Sequence, residues 1–177
     1  VVGKDEHPTV TNWSPDLVVD ALARRMGIPL PGRPQPSASL SIRRPPSICP
    51  GCPFKAASLA IQSLKHRNKL DLVFGDIGCS TLLHFQGSLD LNLCMGASES
   101  MRQGFVLGDS SKASRVVSLI GDSSECHSGM DATRNALFRN IPGVKIVLDN
   151  RAIGMTGAQP SPTSRLPGSK PYDLAAS

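Results

Sequence analysis

Two apolar runs, Val116-Val117-Ser118-Leu119-Ile120 and Val144-Lys145-Ile146-Val147-Leu148, constrain this chain more than any other feature. Each has the length of a buried strand, and each stops abruptly, the first at Gly121-Asp122 and the second at Asp149-Asn150. Between them, His127 to Asn140 has helical composition. Strand, crossover helix and strand form one βαβ unit. The spacing therefore predicts parallel neighbouring strands whose C-terminal ends share one edge of a sheet. Open α/β sheets place ligands at that edge. A carboxylate (Asp122) and an amide oxygen (Asn150) converging there make a hard-oxygen pair suited to Mg²⁺, with a backbone carbonyl and a diphosphate to fill the octahedron. The competing reading is local: Asp122 caps the next helix and Asn150 sits in a turn.

Five blocks stand in order along the chain: Cys49-Pro50-Gly51-Cys52-Pro53, Gly75-Asp76-Ile77-Gly78-Cys79, Cys94-Met95-Gly96-Ala97-Ser98, Gly121-Asp122-Ser123 with His127-Ser128-Gly129, and Leu148-Asp149-Asn150 with Met155-Thr156-Gly157-Ala158-Gln159. A Gly-Asp followed by an Asn one helix and one strand later looks like the thiamine-diphosphate motif. The five blocks together resemble the diphosphate-binding domain of indolepyruvate:ferredoxin oxidoreductase alpha subunits. The related 2-oxoacid:ferredoxin oxidoreductases share the C-P-G-C and G-I-G-C elements. They also share a T-G-x-Q-x-S-P-T element, here Thr156 to Thr163. The resemblance covers roughly residues 43–164.

Composition is compatible with this and excludes other classes. A chain of 177 residues with 40% hydrophobic content can bury a core. The net charge of +5 is spread along the chain with few aromatics for base stacking, which argues against nucleic-acid binding. No apolar run reaches the length of a membrane span, and Val1-Val2-Gly3-Lys4-Asp5-Glu6 lacks the apolar core of a signal peptide. Five cysteines, an odd number with no export signal, point to free thiols or cluster ligands in a reducing, cytoplasmic setting.

The chain divides by pattern. Residues 1–28 hold one helix, started by Ser14-Pro15-Asp16 and marked by Leu17, Val18, Ala21 and Leu22, and read as the tail of a preceding domain. Residues 29–42 begin a linker rich in proline, from Pro29 and Pro31 through Pro34 and Pro36, with Pro45 and Pro46 just beyond. Residues 43–164 form the compact domain. In it Lys55 to His66 reads as a helix with Ala57, Ala60, Ile61 and Leu64 on one stripe, Leu70 to Phe74 as a strand, Leu89 to Cys94 as a second apolar run, and Gly96 to Leu107 as a helix. From Arg151 onward the composition is that of a loop, and residues 165–177 read as loop or frayed end. The fold class is α/β, a mostly parallel sheet flanked by helices, as in thiamine-diphosphate enzymes.

The site residues follow from these blocks. Asp122 and Asn150 are the candidate metal ligands, and the resemblance adds the backbone carbonyl of Ala152. Gly121, Ser123, Gly154, Thr156 and Gly157 suit a diphosphate, whose oxygens are cradled by backbone N–H groups in glycine turns and at helix starts. Ser123 departs from the commoner Gly-Asp-Gly and matches the Gly-Asp-Ser of the indolepyruvate branch. His127 is either structural or the catalytic group that meets a substrate carboxylate or supplies a proton. Glu125 either points to solvent or alters the site, because a carboxylate facing the diphosphate would repel it. His84 and Lys55 read as surface residues, and Cys94 and Cys126 as packing or pocket residues.

Cys49 and Cys52 form a C-x-x-C turn that Cys79 could join. The resemblance implies that these three are ligands of a [4Fe–4S] cluster, but such a cluster takes four thiolates. Zinc and a redox-active cysteine pair are the other readings.

The resemblance further implies thiamine diphosphate and Mg²⁺ as cofactors, with a 2-oxoacid, coenzyme A and ferredoxin as reaction partners. The activity would be oxidative decarboxylation of an aryl 2-oxoacid such as indolepyruvate. A pyrimidine-binding domain or second subunit would supply the glutamate that activates the cofactor, since no Glu here matches it. The chain is expected to be inactive alone. Another 2-oxoacid:ferredoxin oxidoreductase, a thiamine-diphosphate decarboxylase, or a non-catalytic remnant that binds metal or a partner subunit are the alternatives.

Overall fold

The structure, a computed structural model, describes residues 15–30 and 47–176. The chain falls into two units, Val1–Arg44 and Pro45–Ser177. In the first, helix α1 (Pro15–Met26) buries Ala21 and Ala23, while Val18 and Leu22 of the expected stripe are exposed. The capping residue Ser14 and prolines 31, 34, 36, 45 and 46 lie outside the described residues.

The second unit is built on a parallel sheet of four strands: β1 (Leu72–Gly75), β2 (Leu91–Asn92), β3 (Val116–Gly121) and β4 (Val144–Leu148), in the order β2-β1-β3-β4. The α/β expectation holds. β3 lies between two neighbours, and Val116, Ser118, Leu119 and Ile120 are buried on it, as a strand covered on both faces requires. Its pairing with β4 sets Gly121 opposite Leu148, so Asp122 and Asp149 leave the sheet at the same edge.

Alternation along the strands sends side chains to two layers. On one face Val73 and Leu119 pack with Leu83, Leu89 and with Phe54 and Ile61 of helix α2 (Phe54–His66). On the other, Phe74 and Val116 pack with Met101, Phe105 and Val106 of helix α3 (Ser98–Gly108). In α2 the buried positions are Phe54, Ser58 and Ile61, at i, i+4 and i+7, whereas Ala60 and Leu64 of the expected stripe face outward. Ser58 tolerates burial because its hydroxyl lies 2.5 Å from Ser88 Oγ and 2.8 Å from Gln86 Oε1.

The second layer also carries a buried ion pair. Arg102, 2% exposed, donates from Nε to Glu99 Oε2 at 2.9 Å, from Nη2 to Glu99 Oε1 at 2.5 Å and from Nη1 to the Pro142 carbonyl at 2.8 Å. Burial opposes ionisation of Glu99, but the hydrogen bonds from Arg102 and Ser118 overcome it and hold the carboxyl below its usual range. Gln103 extends this network to the Ala132 carbonyl, fastening α3 to the helix that follows β3.

That helix differs from the expected segment. It begins directly at the strand exit as α4 (Asp122–Ser124), widens into a π turn over Glu125–Gly129, and continues as α5 (Met130–Phe138). The stretch after Arg151 is not all loop. Strands β5 (Ala152–Ile153) and β6 (Gln159–Pro160) pair antiparallel around a 3-10 turn at Gly154–Thr156. Among the described residues no helix is long and apolar enough to cross a membrane.

Candidate diphosphate and cation site

The β3–β4 register and the turn that follows each strand bring the predicted residues together. Gly121, Asp122, Ser123, Asn150, Ala152, Gly154 and Thr156 line one cavity of about 180 Å³ at the C-terminal edge of the sheet. Gly157 does not line it. Its positive φ of 120° closes the β5–β6 connection, a conformation that favours glycine.

Asp122 is 2% exposed, and the hydrogen bonds its carboxylate makes among the described residues do not come from the helix it begins. Instead Oδ2 accepts from Ser161 Oγ at 2.7 Å and lies 2.9 Å from Thr163 Oγ1, both hydroxyls being buried. The buried carboxylate oxygen thereby meets a hydroxyl donor in place of water. The local reading of Asn150 does hold: its Oδ1 accepts the Ala152 N–H at 3.1 Å. Asp149 does the same for the Arg151 N–H at 2.9 Å, and Arg151 takes a left-handed φ of 58° in that tight exit. Ser123 Oγ lies 3.5 Å from the Ala152 carbonyl.

The donor set fits a hard divalent cation. Asp122, Asn150 and Ala152 all line this cavity, and a carboxylate, an amide oxygen and a backbone carbonyl are oxygen ligands of the kinds Mg²⁺ selects. The lining is tight around Gly154. A Cβ on Gly154 would stand 3.2 Å from Cys79 Sγ and 3.4 Å from Asn150 Nδ2, so glycine there keeps the cavity open.

Glu125 follows neither expected course. It is 5% exposed and turned away from the cavity, with Oε2 2.5 Å from Lys145 Nζ of β4 and Oε1 3.4 Å from Thr133 Oγ1. The π turn carries it to the helix-covered face, where the lysine neutralises it. His127, on the same turn, is exposed and does not line the cavity. His84 and Lys55 are surface residues, as read from the sequence.

Cys52 and Cys79 pack against the same core, and Cys79 also lines the cavity. Burial raises the Cys79 thiol above its ordinary range, and negative charge at Cys52 and Cys49 raises it further. The three are neighbours. Yet among the described residues no three His, Cys, Asp or Glu side chains converge in a way that could hold a metal ion. Cys94 is exposed rather than packed, and Cys126 is half-buried, its thiol raised by burial and then by Asp122, Glu125 and Asp149.

Asp76, at the end of β1, is fully buried. Oδ1 accepts the Gly96 N–H at 2.6 Å, while Oδ2 meets no partner. Burial raises its carboxyl above the usual range against hydrogen bonds from Ser124 and Gly96. It ties the Gly75–Cys79 block to the Cys94–Ser98 block, whose Met95 lines the cavity. Asp76, Ser161 and Thr163 stand inside the motif blocks, where the sequence alone assigns them no role. Their only signal was position within the blocks.

Comparison with known proteins gives the family. Residues 76–176 match the thiamine pyrophosphate enzyme, C-terminal TPP binding domain. Indolepyruvate oxidoreductase subunit IorA of Archaeoglobus fulgidus is 37% identical over 124 residues, covering 67% of this chain and 19% of the relative. The subunit of the same name from Methanothermobacter thermautotrophicus is 34% identical over 161 residues, covering 88% and 25%. That from Thermococcus kodakarensis is 30% identical over 180 residues, covering 90% and 28%. The chain thus spans a fifth to a quarter or so of these relatives. A solved 2-oxoglutarate:ferredoxin oxidoreductase from Magnetococcus marinus, with 2-oxoglutarate, coenzyme A and succinyl-CoA bound, shares the fold at a TM-score of 0.55 and 21% identity, over 70% of this chain and 44% of that one. The motif resemblance is borne out, and with the match running from the end of β1 to the C-terminal turns, this chain belongs to the family of the thiamine pyrophosphate enzyme C-terminal TPP-binding domain.

Proposed function

We propose that this chain is the diphosphate- and Mg²⁺-holding part of an oxidoreductase that oxidatively decarboxylates aryl 2-oxoacids, indolepyruvate being the preferred substrate. Coenzyme A would accept the acyl group and ferredoxin the electrons. The observation that carries the reading is the shared cavity of Asp122, Asn150, Ala152 and Gly154 at the exit of β3 and β4. The names of the relatives support the substrate class.

When bound, thiamine diphosphate supplies a carbon nucleophile and an electron sink for decarboxylation. This chain's own residues bind and orient. The Asp122 carboxylate, the Asn150 amide oxygen and the Ala152 carbonyl hold the cation, and the turns at Gly121 and Gly154 admit the diphosphate close to backbone N–H groups. His127, exposed on the π turn, keeps a proton-transfer role only if a partner domain closes over it. No step is assigned to Cys49, Cys52 or Cys79. A pyrimidine-binding domain or second subunit completes the cofactor's walls.

The test is acceptor reduction by a polypeptide of the relatives' full length in which this chain is the corresponding segment. Indolepyruvate should be used in preference to pyruvate and 2-oxoglutarate, Asp122→Ala should remove turnover, and the 177-residue chain alone should give none. Preference for pyruvate would favour the other 2-oxoacid oxidoreductases. Unchanged turnover in Asp122→Ala would end the diphosphate reading.

A further inference from the structure

The segment Ser161-Pro162-Thr163-Ser164 has the composition of a loop, yet two of its side chains are among the buried polar groups of the domain: Ser161 is 6% exposed and Thr163 is 4% exposed. Loops bury polar side chains only when something satisfies them. Here that something is Asp122. We infer that Ser161 and Thr163 are the positioning residues of the cation site, holding Asp122 by Oδ2 so that Oδ1 is the oxygen offered to the cavity. The inference deepens the proposed function and rests on its cation-holding reading of Asp122.

The turn is made rigid by its own bonds. Pro162 occupies the second position of a four-residue turn, where a fixed φ is favoured. The Ser164 N–H donates to the Ser161 carbonyl at 2.9 Å, and the Ser161 N–H returns to Ser164 Oγ at 2.8 Å. Ser164 Oγ in turn donates to the Arg151 carbonyl at 2.5 Å, and the Tyr172 N–H donates to the Pro162 carbonyl at 2.9 Å. The turn is thus fastened both to the exit of β4 and to the C-terminal tail.

Proton counting gives each hydroxyl a task. Ser161 Oγ, 2.7 Å from Asp122 Oδ2, donates its one proton there. Thr163 Oγ1 lies 2.9 Å from Ser161 Oγ, 2.9 Å from Asp122 Oδ2 and 3.0 Å from Asp149 Oδ1. It has one proton for two carboxylates, so it spans the exits of β3 and β4 and fixes their separation. Neither hydroxyl lines the cavity. Their contact with a cation would be only through Asp122, as expected of groups that orient a ligand rather than serve as one.

The experiment titrates the chain with Mn²⁺ alone, following free Mn²⁺ by electron paramagnetic resonance, with thermal melts alongside. Thr163→Val keeps volume and removes the hydroxyl, while Thr163→Ser keeps the hydroxyl. The double variant Ser161→Ala/Thr163→Val should weaken Mn²⁺ binding by roughly 10–100-fold, the range for lost partners of metal ligands, with each single change between it and the wild type. Thr163→Ser should bind as the wild type does. If a variant fails to melt cooperatively, the single changes and Thr163→Ser carry the comparison. Wild-type affinity in the hydroxyl-less variants, with binding lost in Asp122→Ala, would overturn the inference and leave the cation site standing. No Mn²⁺ binding by the wild type, or none lost in Asp122→Ala, would overturn the cation reading itself, and the inference with it.

Discussion

Lys145 Nζ stands 2.5 Å from Glu125 Oε2, joining β4 to the π turn that follows β3. The pair is nearly dry, with the side chains 14% and 7% exposed. Lys145 also donates to Thr133 Oγ1 at 2.5 Å and to the Gly129 carbonyl at 3.2 Å. A Cβ on Gly129 would stand 2.3 Å from Glu125 Oε2, so the turn accommodates the carboxylate only because that residue is glycine.

Removing the lysine leaves a buried carboxylate without its counter-charge. Lys145→Met should destabilise the domain by about 3–5 kcal/mol, whereas Glu125→Leu/Lys145→Met should recover most of that loss, since the paired charges themselves contribute little net stability. Urea midpoints at neutral pH measure both. A loss in Lys145→Met no larger than that of an exposed lysine would show the pair to be solvated.

Asp76 predicts a pH dependence of definite sign. Burial raises its folded-state pKa above the unfolded value, so between the two values the folded chain binds more protons. Stability from this residue is present at acid pH and is lost as pH rises through the raised value. Asp76→Asn, which keeps a Gly96 acceptor and cannot ionise, should gain on the wild type as pH climbs through that window. Unfolding free energies of both proteins across a pH series give the difference. A difference that stays level would show that Asp76 ionises freely.

Thiol reactivity should divide the cysteines. The thiolate is the nucleophile, and burial together with nearby negative charge holds Cys79 and Cys126 in the thiol form. Cys49 and Cys94 are exposed. Iodoacetamide at neutral pH should label Cys49 and Cys94 first, with Cys79 and Cys126 lagging, as a peptide-mass time course would record. Labelling of Cys79 at the rate of Cys94 would contradict its place against the core and the cavity wall.

What local pattern carries was legible in the sequence. Near-continuous apolar runs ending in Gly-Asp and Asp-Asn predicted β3, β4 and their parallel pairing, because a crossover helix needs that spacing; β3 is buried as such a run requires, whereas β4, at the edge of the sheet, is only half-buried and exposes Val144. The register then had to bring Asp122 and Asn150 to one edge. The blocks between Cys49 and Thr163 carried the family, since each holds glycines and polar groups where backbone must approach a ligand. Tertiary structure decided the partners. Ser161 and Asp122 stand 39 positions apart, and no periodicity links a hydroxyl in a proline turn to a carboxylate at a strand exit. The π turn that buries Glu125 against Lys145 adds one residue to a helical turn, and pattern reading assumes a constant turn. The outward face of α2 at Ala60 and Leu64 was settled by which side the sheet occupied. The cysteines show the same division: their order told of a family, while the packing of Cys52 and Cys79 against one core is a property of the fold alone.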